Sequence, residues 1–467
     1  MPSRAKGVGT AARPAGCFEV MRMAHAPDAD DPRETLPRRL SAAMEPLPDI
    51  DDPAFAAAFD RWADRRIVLL GEASHGTEEF YRARAAVTRR LVERHGFTIL
   101  AIEADWPDAA ALDRYVRDRA AAPDAPPPFR RFPTWMWRNT VVAELVEWLR
   151  AWNLGRTMED RAGVYGLDIY NLRDSMAAVL DYLEAADPAA AAVARERYGC
   201  LTPWRNDPAV YGRAVLTDAW RRCEEEALAQ CREMLERSLE ASLADSPALF
   251  DAAQNARLVA AAERYYRIMY FGGAESWNLR DTHMFETLER LLDAGGPAAK
   301  AVVWAHNSHI GDARATEMGQ QRGELNLGQL ARQRFGEAAA LIGFGTHEGT
   351  VAAASDWGGE MEVKTINPGL RASVERLFHR SGVPRGLLDL GHGLEGGLRR
   401  ELAATRLERF IGVIYRPESE RLSHYADVRL PDQFDGFVWF QRTRALTPLD
   451  RAPPEGGRVP DTWPFGL

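Results

Sequence analysis

Glu72 and His75 stand in the stretch Gly71-Glu-Ala-Ser-His-Gly-Thr77, directly after the apolar run Ile67–Leu70. A carboxylate three residues before an imidazole can orient that imidazole for base work. The same residue types recur at the ends of other apolar runs. Glu103 follows Thr98–Ile102, Asp168 ends Val164–Asp168, and His306 and His309 follow Ala301–Ala305. Singly, each has a plain structural use as a helix cap or a turn acceptor. If the runs are parallel strands, their carboxyl ends share one sheet edge, where open α/β sheets bind ligands. Three histidines and two or three carboxylates would then converge on one pocket and could activate water. Arg84, about two helical turns beyond His75, could balance charge or hold a developing oxyanion. Ser74 is a weaker candidate as nucleophile, because Glu72-Ala-Ser-His-Gly76 lacks the first glycine of the nucleophile elbow. Glu72-x-x-His75 and His306-x-x-His309 also offer ligand types suited to Zn²⁺ or Mn²⁺, although their spacing fits no H-E-x-x-H motif. The expectation is direct base catalysis with no cofactor, and metal-assisted hydrolysis is its rival.

Strands are needed to carry these groups. Short apolar runs alternating with helical patterns predict an α/β fold, a mostly parallel β-sheet flanked by helices. Ala338–Phe344, Phe410–Tyr415 and Phe437–Phe440 complete the predicted strands. Thr77–Arg94 carries Phe80, Ala83, Val87 and Leu91 at helical spacing and stops at Gly96. Asp108–Asp118 and a stretch capped by Asn139 read as further helices, with a Pro-rich loop over 120–133 between them. Residues 174–298 keep an apolar period of about 3.6 with no alternation, which predicts a long all-helical insert walling the cleft. The predicted layout is a disordered tail over 1–40, with a short helix from about Pro37, and an α/β core over 41–173 and 299–447. The insert occupies 174–298 and a C-terminal tail 448–467.

The chain is long enough for a large core. A net charge of -9 without a dense Lys/Arg block argues against nucleic acid as a partner. No apolar run is long enough for a bilayer, and the first residues lack the apolar core of a signal peptide. The chain therefore reads as cytoplasmic, with a small-molecule partner and no membrane partner; its oligomeric state is not legible. Cys17, Cys200, Cys223 and Cys231 are too few and scattered for a disulfide framework. Cys223 and Cys231 are expected to pack as small hydrophobes.

Four stretches together resemble the erythromycin esterase family. They are Gly71-Glu-Ala-Ser-His-Gly-Thr-Glu-Glu-Phe80 with Arg84, Ala101-Ile-Glu-Ala-Asp-Trp-Pro107, Phe132-Pro-Thr-Trp-Met-Trp-Arg138, and Ser276-Trp-Asn-Leu-Arg-Asp281 with Ala305-His-Asn-Ser-His309. The resemblance implies a cytoplasmic hydrolase that opens macrolide lactones without a serine nucleophile, and so a role in antibiotic resistance. It implies His75 as general base, with Glu72, Glu103, Arg84, His306 and His309 lining the pocket. Trp106, Asp168 and Arg280 are the expected substrate-binding residues, though Arg280 and Asp281 could instead lock the last insert helix by an ion pair. The family also holds members linked to succinoglycan synthesis. A metal-dependent hydrolase, or a non-catalytic ligand-binding, stress or polysaccharide-associated protein, are the alternative readings.

Overall fold

Residues 32–119, 127–217, 219–238, 246–391 and 393–449 are described by the computed structural model. The expected disorder over 1–31, the tail beyond 449 and residues 120–126 of the Pro-rich loop lie outside the described residues. The strands are β1 (Glu45–Pro46), β2 (Ile67–Leu70), β3 (Ile99–Asp105), β4 (Gly163–Asp168), β5 (Ala301–Trp304) and β6 (Ala339–Ala353). They continue with β7 (Glu362–Ile366), β8 (Arg385–Asp389), β9 (Arg406–Arg409), β10 (Tyr425–Val428) and β11 (Gly436–Thr443).

One nine-stranded sheet runs in the order β1-β8-β11-β6-β2-β5-β3-β4, with β7 paired to the far end of β6. From β11 to β4 every neighbouring pair is parallel. β8 and β1 extend the sheet antiparallel, and β7 lies antiparallel on β6. The central strands are buried on both faces, which is why their sequences read as continuous apolar runs rather than alternations. Ile67 and Leu69 belong to the core cluster on one face, which also holds Leu183, Leu258 and Leu288 of the insert. Val68 and Leu70 pack with Phe80, Val87 and Leu145 on the other.

The helix Glu78–His95 ends where Gly96 adopts a φ of 71°, left-handed backbone that suits glycine. The helix Thr140–Asn153 is capped by Asn139, whose side chain accepts from the Val142 N–H. The insert forms helices Leu172–Ala186, Pro188–Tyr198, Pro208–Leu216, Glu224–Ser238, Pro247–Ile268 and Glu275–Ala294, with no strand among its described residues. No helix among the described residues is long and apolar enough to cross a membrane.

Several expectations are corrected. The N-terminal helix spans Pro32–Ala43, so residues 32–40 are ordered helix and not tail. β6 does not end before His347 but continues to Ala353, because β11 and β7 pair with its more polar second half. Phe410–Tyr415 is not a strand: Ile411 and Ile414 make only single bridges, to Ser74 and Ala354. Cys223 is not a free packing thiol but is disulfide-bonded to Cys200, with a Cα–Cα separation of 5.8 Å. Cys231 is free and buried.

Candidate active site

The turn after β2 is clamped from both sides. The Gly71 N–H donates to Ile342 O at 2.9 Å. A Cβ at Gly71 would overlap Asn307 Oδ1, and one at Gly76 would overlap Ala352 O, so glycine is required at both positions. On this turn Glu72 Oε1 meets His75 Nδ1 at 2.9 Å, and Glu72 Oε2 accepts from Arg84 Nη2 at 2.6 Å. The Arg84 guanidinium lies 4.3 Å from the Tyr81 ring centre and 4.7 Å from that of Trp304. It is wholly buried and does not line the cavity. Arg84 therefore holds Glu72 and does not face an oxyanion, as the sequence had suggested it could.

β5 lies between β2 and β3, so Glu103 does not sit beside the His75 strand. The carboxylate bonded to the His75 ring is that of Glu72. Glu103 Oε2 accepts the His306 backbone N–H at 2.8 Å, and Oε1 faces Arg280 Nη2 at 2.7 Å and His309 Nε2 at 3.3 Å. Although burial opposes its charge, His309, His75 and Arg280 hold this carboxyl well below the usual carboxylate range. Arg280 pairs twice with Asp168, Nε to Oδ1 at 2.9 Å and Nη2 to Oδ2 at 2.7 Å. Arg280 thereby locks the last insert helix, Glu275–Ala294, onto β3 and β4 by ion pairs, one of the two uses read from sequence. Asp281 meets His309 Nδ1 at 2.9 Å and accepts the Leu327 N–H at 2.8 Å. Burial disfavours charge on His309, but Asp281 and Glu103 outweigh it and raise the imidazole to about 9. Arg280 Nη1 stands 2.9 Å from His309 Nε2, and both side chains meet Glu103. Trp277 stacks flat on His309 at 4.6 Å.

His306 is next to His75, ring centres 4.8 Å apart. Its Nδ1 accepts the Ser308 N–H at 3.3 Å and lies 2.9 Å from Ser308 Oγ. Burial and the neighbouring His75 push His306 well below the ordinary imidazole value, so it is neutral at pH 7.

His75, Glu103, Asp168 and Arg280 line one cavity of about 90 Å³. Phe129, Phe132, Trp137 and Trp357 form its apolar wall. Among the described residues of the insert, Arg280 alone lines the cavity, and the described wall comes chiefly from the segment 129–137. Trp106 does not reach the cavity. It is buried against Tyr165 and Phe250 and donates its Nε1–H to Asp251 at 2.7 Å. Glu72, His306 and His309 are likewise behind the lining surface. Asp105, Arg131, Tyr170 and Trp357 line the cavity without having been singled out from sequence. Asp105 had a signal, since it shares the run Ala101–Pro107 with Glu103. Trp357 had none. Among the described residues, no group of three His, Cys, Asp or Glu side chains is arranged to hold a metal ion.

A family model described as erythromycin esterase matches residues 92–443. The chain belongs to the erythromycin esterase family. Glu72, His75 and Arg84 precede the matched span, and Glu103, Asp168, Arg280, His306 and His309 fall inside it. A putative hydrolase of Bacillus subtilis strain 168, YbfO, is 22% identical over 402 residues, covering 81% of this chain and 83% of its own. Erythromycin esterase type I of Escherichia coli is 24% identical over 316 residues, 60% of this chain and 72% of its own. The crystal structure of a succinoglycan biosynthesis protein aligns over 89% of this chain and 98% of its own, with a TM-score of 0.72 at 21% identity. The family supports an esterase-like hydrolase acting on a small molecule; at these identities the solved structure speaks for the fold alone.

Proposed function

We propose that this chain hydrolyses a carboxylic ester or lactone, with His75 as general base toward water. The observation that carries the reading is the split of the His75 ring. Nδ1 is tied to Glu72, itself held by Arg84, and Nε2 is the nitrogen left for the cavity side. Nδ1 thus keeps its proton, Nε2 keeps its lone pair, and Glu72 stabilises the imidazolium that forms when Nε2 takes a proton from water. His306, neutral and 4.8 Å from the His75 ring, is assigned to back that ring from behind the lining surface. Glu103, Asp168, Asp281, Arg280 and His309 form a buried charged frame that fixes the loop after β5.

The cavity has room for an ester group and its water, whereas a macrolactone ring would extend past the half-exposed Phe132 and Trp357. Macrolides, and with them antibiotic resistance, are therefore one substrate class among several for this reading. The test is to incubate purified protein with a panel of macrolides and simple esters and to follow the gain of one water by mass spectrometry. Hydrolysis by the native protein and not by His75→Asn supports the reading. No hydrolysis of any panel member, or equal hydrolysis by both proteins, overturns it.

A further inference from the structure

Asp105 stands at the N-cap of the helix Trp106–Val116, yet its side chain makes no capping bond. An aspartate there ordinarily accepts from a backbone N–H two or three residues further on. This one is turned into the cavity that His75 and Glu103 line. Oδ1 accepts the Tyr170 N–H at 2.6 Å and Oδ2 accepts from Arg131 Nη1 at 3.1 Å. Each carboxyl oxygen has a second lone-pair site, so these bonds leave room for a proton. Asp105 is also the most open carboxylate of the central group, with 13% of its side chain exposed against 6% for Asp168 and 2% for Glu103.

The other acids of the cavity are committed elsewhere. Glu103 is held ionised and Asp168 is gripped twice by Arg280. Asp108 fastens the cavity wall, accepting from the Phe129 N–H at 2.6 Å and from Asn171 Nδ2 at 2.9 Å.

We propose that Asp105 is the general acid of this site, giving its proton to the leaving oxygen as the acyl–oxygen bond breaks. The inference rests on the reading of His75 as base. In the balanced step, the water oxygen bonds to the acyl carbon and the water proton goes to His75 Nε2. The bond from the acyl carbon to the leaving oxygen breaks, and that oxygen takes the Asp105 proton. The imidazolium then returns its proton to the Asp105 carboxylate through solvent, so ester and water become acid and alcohol. Burial favours the protonated carboxyl, Arg131 opposes it, and Asp168 and Asp108 reinforce it, raising Asp105 to about 8. The other charged or titratable groups around the same cavity are Glu103, His75, Tyr170 and Arg280. Two carboxyls of one strand, Glu103 and Asp105, are thus pushed in opposite directions, the pattern that separates acid from base duties in hydrolytic sites.

The experiment compares the native protein, Asp105→Asn and Asp105→Glu on esters of one acid that differ only in leaving group, from nitrophenyl through phenyl to ethyl. Loss of kcat/KM in Asp105→Asn should grow along that series, from a few-fold to roughly 10²–10⁴-fold. The native fall in rate above about pH 8 should vanish in Asp105→Asn, and Asp105→Glu should recover part of the ethyl-ester rate. An equal loss across the series, or a retained alkaline fall, overturns the assignment. Failure of the base reading is distinguishable, because folded His75→Asn would then hydrolyse the nitrophenyl ester at the native rate. Native protein that hydrolyses none of the esters overturns both.

Discussion

His75 and His309 follow adjacent central strands, β2 and β5, and each carries a carboxylate 2.9 Å from Nδ1. They differ in what meets the other nitrogen. His75 Nε2 is left to the cavity, whereas His309 Nε2 meets Glu103 and Arg280, and its ring is covered by Trp277. A histidine–carboxylate pair is therefore not a catalytic unit by itself. On the proposed reading it serves as a base where the second nitrogen faces the cavity, and as a strut where that nitrogen is sealed.

The comparison breaks first at Glu72. Replacing Glu72 by Gln removes the carboxylate that fixes the tautomer, and the hydrolysis rate should fall by up to roughly 10⁴-fold, as in other histidine–carboxylate pairs. Steady-state kinetics on protein shown folded by circular dichroism measures this; an undiminished rate would dissociate Glu72 from the base. Next comes the sealed region. Arg280→Met leaves Asp168 without its ion-pair partner in the interior and Glu103 with His309 alone, and stability in urea should drop by about 3–5 kcal/mol. A drop under 1 kcal/mol, the size of a surface pair, would show that the frame does not stabilise the fold.

The third effect is pH-dependent. His309 is raised in the folded protein to about 9, above the ordinary value of about 6.5. Its contribution is therefore complete below about pH 6.5 and is lost as pH rises through about 9, an order of about 3 kcal/mol. Urea unfolding of native protein should weaken across that window, and His309→Asn should weaken less. Identical slopes would mean that the ring is not held charged. The smallest effect is expected at Arg84. Lys keeps the charge but not the planar fork between Tyr81 and Trp304. Loss of one charge-assisted hydrogen bond, worth about 1.5–3 kcal/mol, should lower kcat with little change in KM. A change confined to KM would instead mean that Arg84 touches substrate.

What could be read from sequence follows from which contacts are local. β2, β4 and β5 are buried on both faces, so continuous apolar runs announced them. β7 is mostly exposed and β8 is an outer strand, and neither carries such a run. The Glu72–His75 bond spans three residues and was visible in the spacing. The Arg280–Asp168 pair spans 112 residues and depends on where the last insert helix meets β4. That Glu103 serves His306 and His309 follows from β5 lying between β2 and β3, a strand order no local pattern encodes. Trp106 and Arg84 were misplaced for a related reason. Their types suit a pocket, but helix rotation buries one against Phe250 and the other behind Glu72.

The most direct measurement is kcat/KM for His75→Asn and His309→Asn on one confirmed ester, each beside its urea unfolding curve. The account predicts that His75→Asn unfolds like the native protein and loses roughly 10²–10⁴-fold in rate, whereas His309→Asn loses stability first. A folded His75→Asn protein with near-native turnover would contradict it.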